Sequence, residues 1–323
     1  MIFNDKLIDD IENQADRLAN ERLEMIYKNP PEYFNKLEDK NINVAQNIDD
    51  IWGHSLDLFE LLINTSVEIL SNFDVTKLSD YSENIDLYDA LQRLQGRACL
   101  LSNEILTLLK AGFADGAYAR CRTLYETMVL SSYISDNGNE TAKRYLDYSI
   151  VNDKKEAELF NNHAEVLGEE KISNIKLLEL DDAVKKLKEE YGNSFVIGNG
   201  YNWAYKLLKS EKDKITFIRL EENIDFKQMR PFYKSTSNNI HTGSSSLYFH
   251  RGLPDEDTDK ILMGASSFGI ETPCDLASHC INITTSNLVL NKTQTLEQLI
   301  QISLLSKIKE DLEESLFEIE KEN

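Results

Sequence analysis

The residues best suited to chemistry lie in one short run, Pro231-Phe232-Tyr233-Lys234-Ser235-Thr236-Ser237-Asn238-Asn239-Ile240-His241-Thr242-Gly243. Tyr233, Ser237 and His241 are spaced four apart. On a helix each such step turns a side chain by about 40°, so phenol, hydroxyl and imidazole line one stripe. An imidazole exchanges protons near neutral pH, while phenol and hydroxyl both donate and accept hydrogen bonds. His241 is therefore the candidate acid/base, with Tyr233, Ser237 and Asn238 as candidate orienters. An equally weighted alternative is a helix-end cluster, with the imidazole meeting the C-terminal dipole just before Gly243.

The stripe lacks a charge that could act on phosphate. Arg122 and Glu126, four apart on an earlier helical stretch, offer one. If exposed, they form an intrahelical ion pair worth roughly a few tenths of a kcal/mol. If buried, the pair is costly unless further hydrogen bonds satisfy it, and such a pair suits an organised site. Both readings stand at this level. Arg120 lies on a different face and should reach solvent.

Other motifs are weaker. Gly192, Gly198 and Gly200 lack the Gly-Lys-Ser/Thr and preceding strand of a phosphate loop and read as a connector. His54, His163, His241, His250 and His279 are scattered, with no HExxH and no Cys/His cluster, so neither metal nor cofactor is expected. Asp275 and His279 are four apart and could pair locally. His163, in Asn161-Asn162-His163, should be exposed.

The elements that must position these residues are helical. Prolines occur only at 30, 31, 231, 254 and 273, leaving 32–230 without a helix breaker. Apolar periodicity predicts helices over 4–28 and 44–73, and a hairpin of 84–110 and 114–135 joined at Gly112. After a break at Asp136-Asn137-Gly138-Asn139, a helix of about 140–166 follows. Residues 169–191 form a charged, solvated excursion, and 192–200 form the loosest internal boundary. Short helices are expected near 201–209 and 225–241, then a loop over 242–258. Helices over about 259–268, 273–290 and 293–320 complete an all-α multi-helix bundle around the long antiparallel hairpin. The last has Leu305, Ile308, Leu312 and Ile319 at near-heptad spacing, either a dimer seam or, more favoured, a face packed on its own bundle. The expected division is an N-terminal helical region 1–83, a core domain 84–292 and a C-terminal helix 293–323.

A hydrophobic content of 41% supports a real core, and a formal charge of −21 argues against broad binding to DNA or anionic membranes. A local basic pocket for one RNA strand or a phosphate remains compatible with that charge. The four cysteines (99, 121, 274, 280) form no CxxC and read as reduced core thiols. Met1–Asp10 carries three acids, unlike a signal peptide, and no apolar run approaches the roughly 18 residues that span a bilayer. A cytoplasmic, non-membrane protein is expected.

The run Phe232-Tyr233-x3-Ser237-x3-His241-x-Gly243, preceded by Trp203 and by Arg122-x3-Glu126, resembles a family of bacterial all-helical proteins of unknown function. In that family a Tyr-x3-Ser-x3-His element follows an Arg-x3-Glu helix, and the similarity covers about residues 85–290. Such proteins look like relatives of the helical HEPN-type group, which includes antiviral and toxin ribonucleases. The HEPN signature is Arg-x4–6-His on one helix. Here ten residues separate Arg230 from His241, so Arg122 from another helix is the candidate substitute. The resemblance implies a phage-defence or toxin-like, metal-independent ribonuclease. His241 would be its acid/base, with Arg122, Glu126, Tyr233 and Ser237 in the catalytic cluster and Asn238 and Trp203 contacting RNA. The alternative is a non-enzymatic sensor or adaptor that binds a small ligand, or a protein partner through its acidic surface. A homodimer is compatible with either.

Overall fold

The computed structural model describes residues 5–30, 32–197, 200–204, 215–237, 240, 250–254, 260–290 and 295–322. Among them there are helices, turns and no strands, as the all-α expectation requires. At the centre is the hairpin of α3 (Ile85–Lys110) and α4 (Ala114–Leu167), preceded by α1 (Asp5–Lys28) and α2 (Glu32–Asn72). Leu87, Leu91, Leu94, Ala98, Leu101 and Ile105 recur every three or four residues on α3 and are buried against Ala117, Cys121, Leu124 and Met128 of α4.

The connection turns at Gly112, whose φ of +80° favours glycine. A Cβ there would also lie 2.8 Å from the Ser266 carbonyl oxygen. Helix α9 (Glu271–Val289) packs on α2, α3, α4 and α10 (Leu296–Glu322), and α10 packs back on α2. The seam is fixed by buried polar contacts: Gln95 Nε2 donates to Thr285 Oγ1 at 2.7 Å, and Ser55 and Ser315 share a hydrogen bond of 2.7 Å. One hydrophobic core thus draws on Ile48–Ile69, the central hairpin and Leu305–Leu316. In α10, Leu305 and Leu312 face this core. The described side chains of α1, from Asp10 onward, are exposed.

Several expected boundaries differ. The break at 136–139 is a kink inside one 54-residue helix: Gly138 has φ 75° and ψ −166°, while Asn137 Nδ2 donates to the Tyr133 carbonyl at 2.7 Å. Asn139 Oδ1 accepts the Leu87 N–H at 2.9 Å, tying the kink to the start of α3. Residues 169–191 do carry a solvated helix, α5 (Asn174–Tyr191), lying along the far half of α4. Lys143 Nζ reaches Asp147 and Glu190, and Lys154 pairs with Asp181. The expected boundary at 192–200 contains α6 (Asn193–Val196), and its Phe195 is fully buried between Tyr148 and Tyr191. That aromatic anchor outweighs the flexibility suggested by the flanking glycines.

Helix α7 (Phe217–Glu221) was not expected, and the described residues of the 225–241 stretch carry a 3-10 turn and α8 (Arg230–Thr236). Pro231 at the start of α8 fixes its entry. Residues 260–268 form no helix: they leave Ile261 and Met263 exposed, and Trp52 Nε1 donates to the Ser267 carbonyl at 3.0 Å. No helix of the described residues is long and apolar enough to cross a membrane.

Candidate functional site

Helix α4 carries Arg122 and Glu126 one turn apart, and α8 crosses it with Tyr233 at its centre and Ser237 at its C-terminal cap. The arginine fork is filled from both sides. Nη1 donates to Ser237 Oγ at 2.6 Å, Nη2 to the Tyr233 hydroxyl at 2.9 Å, and Nε to Glu126 Oε1 at 3.2 Å. The Tyr233 hydroxyl in turn donates to Glu126 Oε1 at 2.8 Å. The i, i+4 spacing on α8 lets one guanidinium touch both hydroxyls, and the same spacing on α4 returns the carboxylate to it. The Arg122 and Glu126 side chains keep 24% and 30% of their exposure, so the cluster is half-buried.

Burial pushes the Tyr233 phenol well above its ordinary value, and the bond it gives to Glu126 pushes it further. Tyr201 is raised in the same sense, first by burial and then by Glu126. The tyrosines are therefore neutral donors at physiological pH. Arg122 is the cationic member, balanced by one carboxylate. An incoming phosphate oxygen can replace Glu126 as acceptor while the hydroxyls of Tyr233 and Ser237 hold the guanidinium in place.

A second cluster of similar composition lies beside the first. Glu221, 1% exposed, accepts the Tyr125 hydroxyl at 2.6 Å and pairs with Arg230. The Tyr125 and Tyr233 rings stack at 5.2 Å, and Phe217 packs 4.9 Å from Tyr233. Burial and the bond to Glu221 push Tyr125 far up. Withdrawing Arg230 would strand a buried carboxylate, so this second pair locks α7 and α8 onto α4. The two clusters share residue types and differ in burial. Sequence spacing gave no sign of Glu221, because its partners lie 96 and nine positions away.

The first helical turns of α4 extend the polar face. Asp115 Oδ2 lies 3.7 Å from His250 Nδ1, and Asp115 Oδ1 accepts the Arg251 N–H at 3.0 Å. Arg251 sits 3.7 Å over the Tyr118 ring, and the Tyr118 hydroxyl donates to the Phe232 carbonyl at 3.3 Å. Reading the histidines as scattered missed this pair, since His250 and Asp115 lie far apart in the sequence and meet only in the fold.

The remaining expected residues fall elsewhere. His241 and Asn238 lie outside the described residues. Trp203 is 2% exposed, edge-on to Tyr133 at 5.7 Å and Tyr145 at 5.0 Å, about three helical turns along α4 from Arg122. Its carbonyl accepts Arg144 Nε at 2.8 Å. The structure does not bring Trp203 into the arginine cluster; the indole packs α4, beside a cavity of about 470 Å³ bordered by Tyr145, Tyr148 and Arg93. Arg120 pairs with Glu104. His279 packs against Phe226, and no hydrogen bond joins it to Asp275. The four cysteines are buried and free. Among the described residues no group of three His, Cys, Asp or Glu could hold a metal.

An all-α bundle with a half-open Arg–Glu–Tyr–Ser cluster across its central helix is the class these features define. The chain belongs to the family of unknown function DUF5677, whose model matches residues 88–260, from α3 through both clusters. No curated protein and no solved structure matches the chain.

Proposed function

We propose that the chain is a metal-independent ribonuclease of the defence or toxin-effector kind, related to HEPN proteins and acting in the cytoplasm. The observation that carries this reading is the contact of Arg122 with Tyr233 and Ser237, which gives the uncharged stripe its missing cation. Arg122 binds the phosphate and stabilises the charge that grows on its oxygens, Tyr233 and Ser237 fix the guanidinium, and Glu126 occupies it between substrates. His241, one step further along the stripe in sequence, is the acid/base group on the 2′-hydroxyl or the leaving oxygen. Attack of the 2′ oxygen on phosphorus with loss of the 5′ oxygen needs no metal or redox partner.

The test is cleavage of a labelled single-stranded RNA by the purified chain and by Arg122→Ala and His241→Ala variants, each checked by thermal melting. Both variants are expected to lose at least about 100-fold in rate, with the melting temperature lowered by no more than about 4 °C. Full cleavage by His241→Ala would sink the mechanism.

One observation favours a second reading. All three arginine contacts are already made internally, as in a locked bundle that serves as a sensor or adaptor for a small ligand or a protein partner. Under that reading both variants melt early and no activity is lost.

A further inference from the structure

We propose that the cavity beside Trp203 binds a nucleoside monophosphate, at a site separate from the arginine cluster and independent of the ribonuclease reading. Its volume of about 470 Å³ falls within the roughly 300–1,000 Å³ of pockets that hold small ligands. Arg93 of α3 borders one side. Tyr145, Tyr148, Ser149 and Asn152 of α4, all past the Gly138 kink, border another, and Trp203 completes the wall.

Three kinds of side chain line the cavity, and they match the three parts of a nucleotide. Aromatic rings take the base, because every base presents a π-face to a ring. Tyr145 is the half-buried ring of the set and the one a base can cover. Each tyrosine is braced by a further aromatic: Trp203 stands edge-on to Tyr145 at 5.0 Å, and Phe195 edge-on to Tyr148 at 5.3 Å. Trp203 and Phe195 are buried, and the bond from Arg144 to the Trp203 carbonyl anchors the indole. A wall already held in this way spares the ligand the cost of ordering it. Ser149 and Asn152, exposed and one turn apart on α4, offer a hydroxyl and an amide to the ribose.

The cationic end is Arg93. Its Nε donates to both carboxylate oxygens of Asp89, at 2.9 and 3.0 Å, a contact that occupies neither Nη. Those two nitrogens are the edge of the fork that grips a phosphate. Arg97 lies four residues further along the same face of α3. Burial pushes the Tyr145 phenol up and Arg97 opposes that rise, so its charge reaches the same wall. Two guanidiniums thus meet one carboxylate here, on a chain whose formal charge is −21, and this local excess favours a ligand that carries a phosphate.

Isothermal titration calorimetry of the full chain with adenosine 5′-monophosphate, adenosine and inorganic phosphate tests the site. The nucleotide should bind at least about 10-fold more tightly than either part alone, since each part lacks half of the contacts. Arg93→Gln should bring the nucleotide down to the affinity of adenosine. Ser149→Phe should fill the cavity and abolish binding of both. The two positions are exposed, so circular dichroism of each variant should match the wild type. No binding of the nucleotide up to about 1 mM, equal affinity for nucleotide and adenosine, or full binding by Ser149→Phe overturns the proposal. Loss of binding in Arg122→Ala with retention in Arg93→Gln would place the nucleotide on the arginine cluster and overturns it too. RNA cleavage decides the ribonuclease reading separately, since neither Arg93 nor Ser149 belongs to that cluster.

Discussion

Replacing Arg230 and Arg122 separately by alanine asks whether the two arginine clusters have different purposes. Glu221 is 1% exposed, and Arg230→Ala leaves it with only the Tyr125 hydroxyl. Breaking a buried pair costs about 3–5 kcal/mol, and the 38% exposure of the Arg230 side chain places the cost near the lower end, about 3 kcal/mol. Arg122→Ala leaves Glu126 with 30% exposure and the Tyr233 hydroxyl, so water and a neutral donor take over. An ion pair of that exposure is worth about 1 kcal/mol. The difference of about 2 kcal/mol moves the urea midpoint by about 0.7 M at a slope of about 3 kcal/mol per molar. Helical circular dichroism read against urea measures both midpoints. If Arg122→Ala falls as far as Arg230→Ala, the open cluster is a structural clamp and the reasoning from burial fails.

Two further predictions concern the elements that frame the site. Burial and a shared proton with Glu320 push Glu271 from an ordinary 4.5 up to about 7, with Asp275 adding to the rise and Arg251 opposing it. The folded chain then holds a proton that the unfolded chain releases between about pH 4.5 and 7, so this stabilisation is full below pH 4.5 and is lost as pH rises through 7. Glu271→Gln should flatten the fall of melting temperature across that window, and an unchanged slope would refute the assignment. Gly269→Ala combines a φ of +74° with a Cβ 2.3 Å from the Arg251 carbonyl oxygen, and should cost at least about 2 kcal/mol. A melting curve equal to the wild type would show that the 250–254 segment is not seated as described.

The central hairpin was legible because its signal is local: apolar residues repeat at helical spacing on α3 and early α4, and one glycine turns the chain between them. Tyr233 and Ser237 were legible for the same reason, and their spacing does present both to one guanidinium. What was not legible depends on distant partners. The Asn-Gly-Asn run reads as a stop, yet Asn137 satisfies the Tyr133 carbonyl, Asn139 accepts the Leu87 N–H of α3, and the helix resumes past Gly138. Phe195 sits among turn-forming residues, and only Tyr148 and Tyr191 reveal it as core. Glu221 and Asp115 carry no motif at all. Each becomes visible when a loop or short helix folds back across α4.

The kink at Gly138 gives the long helix a mechanical character. Beyond it, residues 139–167 extend about 42 Å at the helical rise. A rotation of about 5° at that joint would sweep the far end through about 4 Å while the turns bearing Arg122 stay packed against α3. Val166 and Leu167 at that tip, with Ile175 and Leu178 nearby on α5, stand in solvent as apolar side chains. The Asn139 contact to α3 fixes the angle at that joint. The central helix thus has a short arm that bears the polar cluster and a long arm whose direction is set at a single glycine.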